Sequence, residues 1–190
     1  MKHYGDITKM SGYEVEPVDI LCGGSPCQDL SVAGLRKGLI NGERSSLFFE
    51  QMRIMHEMRE KTNGEYPTYG FWENVPGALS SNVTETGSDF REVLQAFVNE
   101  CNGHDHYHVP QPKKWQRAGA VVGDGWSIAW RIIDAQSVVP QRRRRVFLVC
   151  DFRGDSAGKV LFERKGLSGN HQPCGAAWED FAGTAEECPD

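Results

Sequence analysis

Val18-Asp19-Ile20-Leu21-Cys22 lies between Pro17 and Gly23 and runs straight into Gly-Gly-Ser-Pro-Cys-Gln, a loop of small and polar residues. A short apolar run closed by proline and glycine is expected of a buried strand. The elements beyond that loop restrict the fold most. Ser45 or Ser46 can cap a helix running to about Lys61, in which Phe48, Met52 and Met55 fall at i, i+4 and i+7. Leu47, Ile54 and Met58 extend that stripe, and Asn63-Gly-Glu-Tyr-Pro67 breaks the helix. Thr68 to Glu73 then reads as a second strand, and Asp89 to Asn99 as a second helix with Phe90, Val93, Leu94 and Phe97 inward. The segment from Cys101 to Gly123 reads as polar and irregular. Beyond it, Trp126 to Asp134 and Arg145 to Phe152 read as strands joined by a turn containing Pro140. Strands alternating with helices imply an α/β sheet with covering helices. After Arg153 only Lys159 to Glu163 and Ala176 to Phe181 offer weak structure.

The bulk properties set outer limits. A chain of 190 residues with 39% hydrophobic and 25% charged residues can bury a core as one domain. No apolar run is long enough to span a bilayer, and the first ten residues lack a secretory core, so a cytoplasmic location is expected. The six cysteines, Cys22, Cys27, Cys101, Cys150, Cys174 and Cys188, should then be mostly reduced. They form no Cys-x-x-Cys pair, which leaves a structural zinc site with little support. A formal charge of −5 argues against a grip on nucleic acid over the whole surface. Arg142 to Arg145 still supply a local basic patch.

In open α/β sheets, ligands bind outside the carboxyl ends of the strands. Three reactive clusters fall at predicted strand ends. Cys27 follows the first strand, Glu73 closes the second, and the arginine run opens the last. A thiolate is a nucleophile, a carboxyl group moves protons, and arginine holds an oxygen or a phosphate. Taken singly, each has an ordinary alternative: a small buried cysteine, a solvated glutamate, an exposed basic face. Their combination is more informative.

Read in order, Tyr4-Gly-Asp-Ile-Thr-Lys-Met10, Ser25-Pro-Cys-Gln28, Arg44-Ser-Ser-Leu47, Phe71-Trp-Glu-Asn-Val-Pro-Gly77 and Val139-Pro-Gln-Arg-Arg-Arg-Arg-Val146 resemble the motifs of the DNA cytosine-5 methyltransferase family. The match covers about residues 4 to 152. The resemblance implies a partial Rossmann-like methyltransferase fold, a mixed sheet flanked by helices. It also implies a methyl transfer from S-adenosylmethionine to C5 of a cytosine flipped out of double-stranded DNA. Cys27 would add to C6, making C5 nucleophilic and splitting one hard step into two easier ones. Glu73, protonated or sharing a proton, would hydrogen-bond N3 and the exocyclic amine. Arg145 would hold the ring oxygen and the catalytic loop, and Arg143 would position the reacting groups. Asn74 would brace the pocket. Asp6, Ile7, Pro26 and Leu47 would contact the cofactor, and Gln28, Ser31 and Arg142 the DNA. No metal is required, because the methyl sulfonium is already activated.

Departures from the family pattern carry expectations of their own. Residues 1–152 read as the catalytic core and 153–190 as the lead-in to a recognition region. The glycine loop that cradles the methionine part of the cofactor has no counterpart before Tyr4, so the expected site is a half pocket. A second polypeptide carrying the missing cofactor and recognition segments is a candidate partner. The alternative is a catalytically incompetent remnant that folds and binds DNA only with such a partner. The turn before Pro140 also looks one residue short, which would shift the aim of Arg143 and Arg145. Two further readings are weaker. Cys101, His104, His106 and His108 are more simply a solvated loop than a metal site, and a Cys-His hydrolase leaves the glutamate and arginine motifs unexplained.

Overall fold

The computed structural model describes residues 2–25, 46–81, 86–102, 107–137 and 140–162. Five strands form one sheet: β1 (Ile20–Gly24), β2 (Tyr69–Asn74), β3 (Ala118–Gly123), β4 (Trp126–Asp134) and β5 (Arg144–Asp151). Their spatial order is β1-β2-β5-β4-β3. β1 and β2 are parallel, joined through helix α1 (Ser46–Lys61), and the remaining pairs are antiparallel. The sheet is therefore mixed, as expected. Helix α2 (Ser88–Asn102) leads out of β2, and a short helix α3 (Ala157–Leu161) follows β5.

Side-chain alternation gives the two faces different cover. Phe48, Met52 and Met55 of α1 and Phe90, Leu94 and Phe97 of α2 share one core with Trp72, Ile128, Trp130, Leu148 and Cys150. The opposite face is thinner, with Ala129 and Val149 under Ala157 and the partly buried Phe71 and Phe162 beside them. Both predicted helices are present with the predicted faces, and α2 runs three residues further than its apolar stripe suggested, to Asn102. β1 begins and ends two residues later than the apolar run, because Gly23 and Gly24 continue the strand. A Cβ on Gly23 would lie 2.0 Å from the Gln51 amide oxygen, so only a bare backbone passes there. β2 and β5 each sit one residue from their predicted bounds, and β4 matches its own.

β3 is a strand that the sequence reading missed. Ala-Gly-Ala-Val-Val-Gly has little bulk, and its two glycines suggest a loop. In the sheet, Gly119 pairs with Trp130 and Gly123 with Trp126. Each indole lies across the glycine opposite, leaving 2.2 Å and 2.1 Å to the place a Cβ would take. The glycines are thus the recesses that admit two large rings, a cross-strand fit that pins register. Gly119→Val is expected to destabilise the chain by about 1–3 kcal/mol through overpacking. A chemical denaturation curve measures this, and an unshifted midpoint would contradict the assignment.

Among the described residues no helix is long and apolar enough to cross a membrane.

Candidate active site at the carboxyl end of the first two strands

β5 runs antiparallel to β2, so its first residues lie beside the last residues of β2. Glu73 is the register partner of Phe147, and Asn74 of Val146. Arg145, two residues before Phe147, projects on the same face as Glu73. Their side chains meet there, with Arg145 Nε 2.8 Å from Glu73 Oε1. Both are part-exposed, at 23% and 36% of the side chain respectively, so the pair is open to an incoming ligand. Arg145 Nη1 also donates to the Arg144 carbonyl at 2.8 Å, which limits its swing. The other oxygen of Glu73 lies over Gly24, 3.2 Å from where a Cβ would stand. Gly24 thereby leaves room beside the carboxylate at the end of β1.

The opposite face of β2 secures the start of the cysteine loop. Asn74 is buried, and its Nδ2 donates to the Ser25 carbonyl at 3.1 Å and to the Ser25 hydroxyl at 3.2 Å. Trp72 Nε1 donates to the same hydroxyl at 3.1 Å, and Asn74 Oδ1 accepts from the Val75 N–H at 2.8 Å. Ser25 is the last described residue before Pro26. Pro26, Cys27, Gln28 and Ser31 lie outside the described residues, as do His104, His106 and the turn at Val138 and Val139.

The remaining arginines are differently placed. Arg143 is exposed, and its main chain is held by Asp134 Oδ1 at 3.1 Å and by the Ala135 N–H at 3.0 Å. Arg142 is 76% exposed, with Nε 3.9 Å from Asp134 Oδ2. The fold thus brings Glu73 and Arg145 together, while Arg142 and Arg143 stand in solvent at the entry to β5.

A cavity of about 470 Å³ opens between α1, β1 and the chain preceding β1. Ile7, Leu21, Gly24, Ser25, Leu47 and Gln51 are among its walls, so it is mostly apolar with one amide at its base. That volume is in the range of small-molecule sites. Ile7 and Leu47 are thus on one cavity. Asp6 stands beside it, and its Oδ1 accepts from the Thr8 N–H at 3.0 Å and the Thr8 hydroxyl at 2.9 Å, capping the turn Ile7–Lys9. Those bonds hold the carboxyl below its ordinary pKa.

Sequence reasoning overlooked the residue that holds this wall in place. Arg53, on α1, donates through Nη2 to the carbonyls of Ile7 at 3.1 Å and Met10 at 2.9 Å. Glu50 and Glu57 flank it at i−3 and i+4, with contacts of 2.6 and 2.8 Å. Glu57 Oε2 in turn accepts from the Gly12 N–H at 2.6 Å and the Ser11 hydroxyl at 3.2 Å. The Glu-x-x-Arg-x-x-x-Glu spacing was a readable signal for a charged triad on one helix face. Its reach to the chain before β1 was not.

Burial pushes the Glu57 carboxyl up, but the Arg53 guanidinium, the Gly12 N–H and the Ser11 hydroxyl outweigh it and hold the pKa below the ordinary 4.5. A depressed carboxylate contributes stability fully above its unfolded value and loses it as pH falls through the folded one. The anchor between residues 7–12 and α1 is therefore expected to persist to pH 4.5 and to weaken below it. Thermal midpoints taken from pH 6 to pH 3 should converge for wild type and Glu57→Gln as the pH drops. Parallel curves would contradict this.

Among the described residues no group of three or more histidine, cysteine or acidic side chains is placed to hold a metal.

A mixed sheet with helices on its faces and a glycine-entered pocket at one strand end is a partial Rossmann-like methyltransferase fold, and comparison with known proteins agrees. The profile of the C-5 cytosine-specific DNA methylase family matches residues 1–165. The chain belongs to that family. A protein of Escherichia phage P1 named DNA N-6-adenine-methyltransferase is 36% identical over 193 residues, covering 89% of this chain and 25% of that one. The type II methyltransferase M.HhaI of Haemophilus parahaemolyticus is 29% identical, covering 81% of this chain and 36% of its own. M.BsuFI of Bacillus subtilis is 28% identical over 94% of this chain and 35% of its own. The chain therefore spans about a quarter to a third of these relatives.

Proposed function

We propose that this chain carries the base-modifying half of a DNA cytosine-C5 methylation site, with Cys27 as nucleophile. The observation that supports it most is the contact between Glu73 and Arg145, 72 residues apart in sequence, at the strand end from which the Pro26-Cys27 loop leaves. Cytosine C5 is a weak nucleophile. Addition of the Cys27 sulfur to C6 breaks the aromaticity and moves electron density toward C5 and N3. Glu73 hydrogen-bonds N3 and the exocyclic amine, and Arg145 orients Glu73 and holds the ring oxygen. Asn74 fixes Ser25, and with it the root of the loop, so the sulfur is presented from a defined origin. Arg143 positions reacting groups, and Arg142, Gln28 and Ser31 meet the DNA backbone or the gap left by the flipped base. Extruding that base costs a few kcal/mol, which the DNA contacts must offset.

The cavity beside Ile7 and Leu47 fits an apolar-faced heterocycle in size and lining. S-adenosylmethionine bound there, with Pro26 toward its sulfonium and Asp6 at its rim, would supply the activated methyl group. The cavity is open along β1, whose outer edge has no partner among the described residues; Ile20 on the strand and Val18 just before it are exposed. A second polypeptide pairing with that edge would complete the wall and raise cofactor affinity.

Covalent trapping tests the proposal. The full chain is incubated with S-adenosylmethionine and duplex DNA containing 5-fluorocytosine, with and without a polypeptide carrying the glycine-loop segment of a family member. A stable adduct mapped to Cys27, absent in Cys27→Ala, is expected. Failure to form the adduct in both arms would leave a non-catalytic remnant. Methyl transfer to adenine instead would assign the chain the activity for which the phage P1 relative is named.

A further inference from the structure

Two cysteines outside the proposed site lie against each other. Cys101 is in the last turn of α2, part-buried at the edge of the main core, and Cys150 is on β5 with none of its surface exposed. Their sulfurs are 3.5 Å apart, and 49 residues separate them in sequence. A disulfide needs about 2.05 Å, so closure requires an approach of roughly 1.5 Å. The partner on the helix can supply it, since terminal turns fray more readily than a central strand moves. The two thiols are also unequal. Cys150 sits between its register neighbours Gly70 and Ile128, and burial first, then the Cys101 sulfur, pushes its thiol well above the ordinary range despite Arg59 nearby. Cys101 has an exposed side from which a small oxidant can arrive.

We infer that Cys101 and Cys150 form a modification site, closed to an intramolecular disulfide by hydrogen peroxide and reopened by a dithiol. The Cys101 sulfur, as thiolate, attacks one peroxide oxygen. The O–O bond breaks, Cys101 becomes a sulfenic acid, and the other oxygen leaves as hydroxide and is protonated to water. The Cys150 sulfur then attacks the Cys101 sulfur. The S–S bond forms, the S–O bond breaks, and the departing hydroxide takes the Cys150 proton as a second water. Two thiols are oxidised and one peroxide is reduced. The bond ties the end of α2 to the middle strand of the sheet. Cys150 is five residues from Arg145, about 17 Å along the strand, so the tie stands clear of the Glu73–Arg145 pair.

The test uses the full chain with hydrogen peroxide, followed by alkylation under denaturing conditions and peptide mass mapping. The expected product is a Cys101–Cys150 linked peptide about 2 Da lighter than its two parts, lost on treatment with dithiothreitol. The thermal midpoint should rise on oxidation of the wild type and not of Cys101→Ser, which alters only the part-exposed partner. Cys150→Ser should likewise give no linked peptide. If that buried variant does not fold, Cys101→Ser carries the comparison alone. Recovery of both residues as alkylated thiols, over-oxidation of Cys101 without a link, or a link from Cys101 to any other cysteine would overturn the inference.

Discussion

Trp72→Ala is expected to remove about 3–5 kcal/mol of stability, the cost of deleting a large buried aromatic without collapse of the space. Trp72 has no exposed surface and packs against Phe48 and Phe90 with ring centroids 6.4 and 6.1 Å away. It sits on β2, between β1 and β5, where both helices meet the sheet. Domains of this kind are stable by only about 5–15 kcal/mol, so the loss is a large share of the whole. Trp72→Phe keeps one aromatic ring in place and removes the rest of the indole together with the N–H that reaches Ser25, so its cost should be smaller, about 1–3 kcal/mol. Urea denaturation of the two variants measures how much of the loss one retained ring restores. A Trp72→Ala change below about 1 kcal/mol would show that the core is not organised around this ring.

Glu73→Gln should act in the opposite manner, leaving stability nearly unchanged while suppressing chemistry. Its ion pair with Arg145 is part-exposed, and such pairs contribute about 0–1 kcal/mol to folding. If the carboxyl exchanges a proton with the cytosine ring, its loss should lower the yield of the Cys27 adduct by about 100-fold or more. Arg145→Ala should reduce the adduct too, with denaturation midpoints again close to wild type. Adduct formation is the measurement for both. An undiminished yield from Glu73→Gln would remove the residue from the mechanism, whereas a matching fall in stability would assign it to folding.

Much of this was legible in the chain because the signals were local. The α1 stripe, the α2 stripe and the β4 run carry their own periodicity, and each element lies close to the bounds its pattern implies. The meeting of Glu73 and Arg145 was foreseeable from strand ends and from family motifs, although the antiparallel entry of β5 was needed to realise it. What escaped was set by partners far away. β3 looks like a loop until Trp126 and Trp130 are laid across its glycines, and β1 gains Gly23 and Gly24 only because Gln51 and Glu73 occupy the adjacent space. Arg53 is one charge among several on its helix when the sequence is read alone. Its function depends on carbonyl groups more than 40 residues upstream, which no local pattern specifies.

The strand order has a consequence for how firmness is distributed. β5 has a neighbour on either side and carries the interlocked indoles of β4 behind it, while among the described residues β1 is bonded along one side only. Backbone amides near Leu148 should outlast those of Leu21 in deuterium exchange. The proposed chemistry would then take place at the yielding margin of the molecule, against a backstop that hardly moves, so that a margin free to reshape around a nucleotide need not disturb the arginine anchored behind it.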